Sequence, residues 1–398
     1  MSHPLRLVMA DPALRMVVSS IMLTGAMMAT VAPYFSLLAI TTFGFSDSGY
    51  SLLLALSAGV NVTASFTIGI LTDQRARRRG LALVAATAIL IGGMLVWARP
   101  TPMSFALTHV VIWPIGFTLV SQLFALARLA APAETAAQRD GVMATIRAFF
   151  AVPFVAILPI WALAFAHGVG VMRIYPVITL LGLAAVVVIL IAWPRDGQTR
   201  WTEKPSGLSF RAALKELAAP HILGRVVLVS MIHGGSTIYM ALAGLLFHEA
   251  PGRDTADTSL FVGLIAGLEV PVMLAMPWAL ARLSKPVLIG AASVLYGCFL
   301  ASFGQFAAAP WVWFLALPAA LGAGVILSLP IAYLQDLVAD RPGAGGALIS
   351  MLPVGGSLVS AAVFALGTSL SGYPLSALLG AIVTAAAGLV LILVDRRT

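Results

Sequence analysis

Two ionisable side chains interrupt long apolar stretches of the sequence: Glu269 within residues 259–280 and Arg147 within 141–166. Each stretch can cross a hydrocarbon layer of roughly 30 Å at about 1.5 Å per residue. A charge at that depth is costly, and such groups commonly face a bundle interior or a wet cavity, where they handle an ion or a polar solute. Glu269 therefore reads as a functional group, a proton site or a ligand for a polar solute, because Gln would be cheaper in a purely structural role. Two other readings stay open. One is a protonated Glu269 hydrogen-bonded to a neighbouring helix; the other is a static ion pair with Arg147 that fixes helix register. Arg147 lies within roughly 12 Å of one end of its stretch and Glu269 about 18 Å from the matching end. Contact between them needs the long Arg side chain, a water or one particular conformation.

Further polar groups recur at helical spacing. Ser57, Asn61 and Ser65 share one face, as do Ser230, His233 and Thr237. His109, Gln122, Tyr239 and Gln335 add donors and acceptors, although small polar residues are also ordinary packing glue between membrane helices. Hydrolytic chemistry is not expected. The three lysines, Lys204, Lys215 and Lys285, complete no phosphate-binding G-x-x-x-x-G-K-[ST] loop, and neither H-E-x-x-H nor G-x-S-x-G occurs. The single cysteine, Cys298, rules out an intrachain disulfide and a cysteine metal site. No metal and no cofactor is expected.

The elements that must carry these residues follow from composition. Of 398 residues, 60% are hydrophobic and 10% charged, and the mean hydropathy is +1.01. A soluble domain carries about 25% charged residues, so the chain is an all-α integral membrane protein. Apolar runs bounded by charge, Pro or Gly predict twelve spans, at 14–43, 49–71, 81–98, 103–127, 141–166, 174–193, 224–247, 258–281, 286–306, 310–334, 345–370 and 374–394. The first is far too long for a cleavable signal peptide. Prolines 33, 114, 153, 159, 271, 318, 330 and 353 fall inside spans and are expected to bend them.

With both termini in the cytoplasm, every Lys and Arg falls on the inner side except Arg99, Arg173, Arg253 and the intramembrane Arg147. The net charge of +8 is thus a topology signal and does not point to nucleic acid. The one long loop, 194–222, divides the chain into six spans over 1–193 and six over 223–398. Within it, Leu208, Phe210, Ala213, Leu214 and Leu217 recur at helical spacing, which predicts an amphipathic helix on the inner membrane surface. Six plus six spans about a polar linker is the layout of transporters built from repeated halves, with the site near the midplane between them.

The loop after the second span, Gly69-Ile-Leu-Thr-Asp73-Gln-Arg75-Ala-Arg77-Arg78-Arg79, resembles the major facilitator superfamily signature G-x-x-x-D-[RK]-x-G-[RK]-[RK]. Gly69, Asp73, Arg77 and Arg78 match; Gln74 and Ala76 depart. The resemblance implies an inner gate in which Gly69 permits close helix approach and Asp73 accepts from a basic partner and a helix N-terminus. The equivalent second loop, Ala279-Leu-Ala-Arg282-Leu-Ser-Lys285, lacks an acid, so a matching latch is not expected. Gln122 to Arg128, Ala266 to Pro271 and Gln335 to Ala344, with Arg147, narrow the resemblance to the bacterial sugar efflux transporters of that superfamily. That implies a monomer in the bacterial cytoplasmic membrane exporting small sugars or sugar-like solutes, with protons in exchange. On this reading Trp113 or Tyr34 would lie beneath the C–H face of a sugar ring, and Asp336 would act as a cap or gate. A proton-coupled exporter of hydrophobic drugs is the alternative that the Met-rich spans suit. A membrane sensor that moves nothing would need a soluble domain larger than this chain's loops provide.

Overall fold

The computed structural model describes residues 3–75, 78–131, 136–195, 199, 220–337 and 342–395. Among the described residues, twelve helices are long and apolar enough to span a bilayer, numbered α1 to α12. They are Pro12–Thr42, Asp47–Gly69, Arg78–Ala98, Pro102–Ala130, Gly141–Ala166, Val171–Ala192, Ile222–Glu249, Thr255–Met276, Lys285–Phe306, Pro310–Leu334, Leu352–Leu370 and Tyr373–Asp395. The helix holding α2 runs on to Arg75, and that holding α11 begins at Pro342. A short helix, His3–Ala10, precedes α1. The predicted amphipathic helix in 194–222 and Arg77 lie outside the described residues.

Local chemistry sets the helix ends. Asp11 caps α1, its carboxylate accepting from the amides of Ala13 at 2.8 Å and Leu14 at 3.2 Å, with Pro12 at the first position. Thr101 and Ser104 form a reciprocal capping box ahead of α4. Gly44 and Gly372 take positive φ, 70° and 92°, in the turns that deliver the first residues of α2 and α12.

The prolines act unequally. Pro33 lies in a 3-10 turn, Ala32–Tyr34, and a π turn follows at Leu38–Thr42. In α4 a second π turn, Thr108–Ile112, leads directly into Trp113 and Pro114. Pro153, Pro159 and Pro353 instead sit within continuous helices.

Small residues bring helix backbones together where lipid supplies no hydrophobic drive for association. In α3 and α6, a Cβ at Gly93 would stand 2.7 Å from the Thr179 hydroxyl and one at Gly182 2.9 Å from Leu90 Cα. In α9 and α12, a Cβ at Gly290 would stand 2.7 Å from the Gly388 carbonyl. The first six helices pack chiefly among themselves through α1–α5, α1–α6 and α3–α6. The last six do so through α9–α12, α7–α11 and α7–α12. Pairs α5–α8, α2–α11 and α1–α7 join the two sets.

Candidate functional site

The joining pairs meet tightly at the face opposite the termini, here called the distal face. The hydroxyls of Tyr34 on α1 and Ser259 on α8 are hydrogen-bonded at 2.7 Å. Tyr373 at the start of α12 donates to the Asp47 carboxylate at the start of α2, 3.0 Å away. The rings of Tyr50 and Phe364 meet edge to face at 5.0 Å. Between α1 and α7, a Cβ on Gly244 would stand 3.0 Å from the Pro33 carbonyl and 3.3 Å from Leu37 Cβ. These contacts close the distal face.

Toward the middle, α5 and α8 pack along the two glycines of Gly263-x-x-x-Gly267. A Cβ at Gly263 would be 3.1 Å from Leu158 Cβ, and one at Gly267 would be 3.9 Å from a Val155 methyl. Continuing that antiparallel register places Arg147 level with about residue 275, roughly 9 Å along the axis from Glu269. Arg147 is exposed and makes no ion pair with Glu269 in this conformation. Glu269 is half-buried, and its carboxylate makes no hydrogen bond or ion pair among the described residues. Two buried tyrosines, Tyr239 on α7 and Tyr296 on α9, meet around Phe299 at 5.3 and 5.2 Å, and on α10 a Cβ at Gly322 would stand 2.8 Å from Tyr296 Cβ and one at Gly324 3.6 Å from the Glu269 carbonyl. The Tyr239 hydroxyl is buried with no hydrogen-bond partner among the described residues. Glu269 and Tyr239 are thus brought to one region, and Tyr296 joins them from a position that periodicity did not single out.

His109 and Trp113 lie elsewhere. His109 is buried in a cage of rings: Phe35 stacks on it at 4.4 Å and 3°, and Phe105 and Trp113 lie at 4.2 and 4.5 Å. Its Nε2 hydrogen-bonds the Tyr175 hydroxyl at 3.1 Å. Trp113 is 2% exposed and donates to the Ile89 carbonyl at 3.2 Å. Trp113 and Tyr34, itself fully buried, are both packed among other side chains in this conformation. Gln122 is buried, donates weakly to Thr118 at 3.4 Å, and leaves its carbonyl oxygen unpaired among the described residues. Asn61 is half-buried and accepts from Ser65 at 3.5 Å. His233 is half-buried against Gly356 on α11. Gln335 lies in the helix Leu329–Leu337.

Of the gate residues, Asp73 lies in the helix that continues α2, and Arg78 opens α3, half-buried and engaged. A Cβ at Gly69 would meet no atom within 4 Å among the described residues. Asp336 forms an ion pair with Lys285. The acid missing from the loop after α8 is therefore supplied from the end of α10, a pairing across 51 positions that local sequence did not signal.

The sequence profile of the Major Facilitator Superfamily matches residues 17–360. The chain belongs to the major facilitator superfamily. It is accordingly a multi-pass membrane transporter and not an enzyme. This major facilitator is 25% identical over 383 residues to a Deinococcus radiodurans protein described as a "Putative sugar efflux transporter", covering 94% of this chain and 95% of that one. Its fold is similar to that of the nucleoside transporter NupG, with a TM-score of 0.74 at 14% identity and full coverage of both chains. A D-xylose-proton symporter gives 0.73 at 14% identity, covering 94% and 95%.

Proposed function

We propose that this major facilitator exports small sugars or sugar-like solutes across the bacterial cytoplasmic membrane in exchange for protons, with both termini in the cytoplasm. Residues 1–193 and 223–398 act as two halves that open the space between them to alternate sides. The observation that carries the reading is the state of Glu269. It is a carboxylate at membrane depth, half-buried and unpaired in a conformation closed at the distal face. A buried structural Glu would be held by hydrogen bonds; one that must pass a proton between two sides needs access in each. The full-length likeness to the Deinococcus radiodurans protein supports the substrate class.

A second reading is favoured by one observation. Val270 and Leu274 on α8, and Val152 and Val155 on α5, are exposed apolar side chains on the helices that carry Glu269 and Arg147, a surface that would suit a hydrophobic cargo. Purified protein in vesicles with an imposed pH gradient, offered labelled sugars and a lipophilic cation, separates the two. Sugar flux that follows the gradient is expected, and Glu269→Gln should cut the gradient-driven rate at least tenfold. Undiminished flux with unchanged pH dependence in that variant would remove Glu269 from coupling. Flux of the lipophilic cation alone favours the second reading.

A further inference from the structure

The distal ends of α1, α3 and α6 enclose a cavity of about 330 Å³, remote from Glu269. Phe43, Trp97 and Met172 form its apolar wall, and Thr42 and Arg173 supply the polar part. Gly93 against Thr179 brings α3 and α6 together one turn below. No carboxylate lines it.

Its charge is unusual for this face. Arg173 lines the cavity, and Arg99 sits between its lining residues Trp97 and Pro100. Neither guanidinium donates to a protein group among the described residues. The third distal arginine is fully employed: Arg253 lies 3.5 Å from Asp257, donates to the Ala309 carbonyl at 2.8 Å, and rests over the Trp313 ring at 5.5 Å. Trp97 is 54% exposed within the last turn of α3, the level at which Trp and Arg mark the border between headgroups and hydrocarbon. Below it the lipid-facing flank continues as exposed Met94 and Ile91 on α3 and Leu180 and Leu183 on α6.

From this arrangement we infer that the cavity binds the headgroup of an anionic phospholipid. The phosphodiester pairs with Arg173 and Arg99, the glycerol packs on Trp97, and an acyl chain follows the α3–α6 flank. At ~30 Å³ per water, the volume equals about ten waters, adequate for a phosphodiester and its glycerol. Arginine suits phosphate because its planar donors pair two oxygens at once. The apolar flank distinguishes a lipid from a free phosphate, which would gain nothing from it.

Native mass spectrometry of the purified full chain, titrated separately with phosphatidylglycerol, phosphatidylcholine and glycerol 3-phosphate, tests this. Phosphatidylglycerol should bind at least tenfold more tightly than phosphatidylcholine. Arg173→Gln and Trp97→Ala should each weaken it about fivefold or more without changing phosphatidylcholine, while Arg173→Lys keeps part of the preference. Because Arg173 is exposed, its substitution leaves the helix packing in place. Equal binding of the two lipids overturns the inference, as does phosphatidylglycerol binding indifferent to Arg173→Gln. Glycerol 3-phosphate bound as tightly as the lipid overturns the lipid assignment.

Discussion

Glu269 and His109 are both ionisable and both at membrane depth, yet their surroundings differ. Four rings and the Tyr175 hydroxyl enclose His109, which makes one hydrogen bond, to that hydroxyl. Glu269 has no such partner among the described residues. Tyr175→Phe would leave His109 Nε2 buried and unpaired, at a cost of about 1–3 kcal/mol. A lowered thermal midpoint with transport within about twofold of the parent is the expected result; transport lost with stability unchanged would put His109 on the transport path. Sequence exposed Glu269 because one carboxylate in an apolar run has a large energetic cost. It could not sort His109, since Phe35 and Tyr175 approach from distant segments and leave no periodic trace near residue 109.

Among elements, the span count and most boundaries were legible, because hydropathy measures the property a bilayer selects. The π turns were not: each adds one residue to a helical turn without a composition signal. The partner of Lys285 was hidden for another reason, as an ion pair across 51 positions depends on how α9 and α10 come together. Such an exposed pair is worth only ~0–1 kcal/mol, so it guides helix ends more than it holds them. The glycine contacts matter more. At Gly182 the nearest obstacle is the Leu90 backbone, which cannot rotate away. Gly182→Val should therefore push α3 from α6, destabilise the protein by about 1–3 kcal/mol or more, and reduce the folded yield seen by size-exclusion chromatography. Gly59→Ala, with no atom within 4 Å of the new methyl among the described residues, should be neutral or slightly stabilising.

For the whole molecule, the family was readable from the loop after α2 together with twelve spans, and the profile over 17–360 agrees. Which face is closed was not readable, because one sequence populates states a few kcal/mol apart. Distal closure can be tested between α1 and α7. The Leu37 Cβ and a Cβ at Gly244 would be 3.3 Å apart, slightly inside the usual disulfide range of roughly 3.5–4.5 Å. Leu37→Cys with Gly244→Cys, in a background with Cys298→Ser, should cross-link on oxidation and stop transport, with recovery on reduction. Full activity of the cross-linked form would mean that the distal face need not part. The same region contains the joint in α1: the 3-10 turn at Ala32–Tyr34 holds the residues that meet Ser259 and Gly244, with Leu37 just beyond it, whereas Gly25 below it is wedged against the Phe150 carbonyl. The last turns of α1 are therefore a short lever on a fixed post. Swinging that lever about Pro33 would release Tyr34 and Leu37 while the post stays bound to α5, which would loosen the part of the seal that α1 makes.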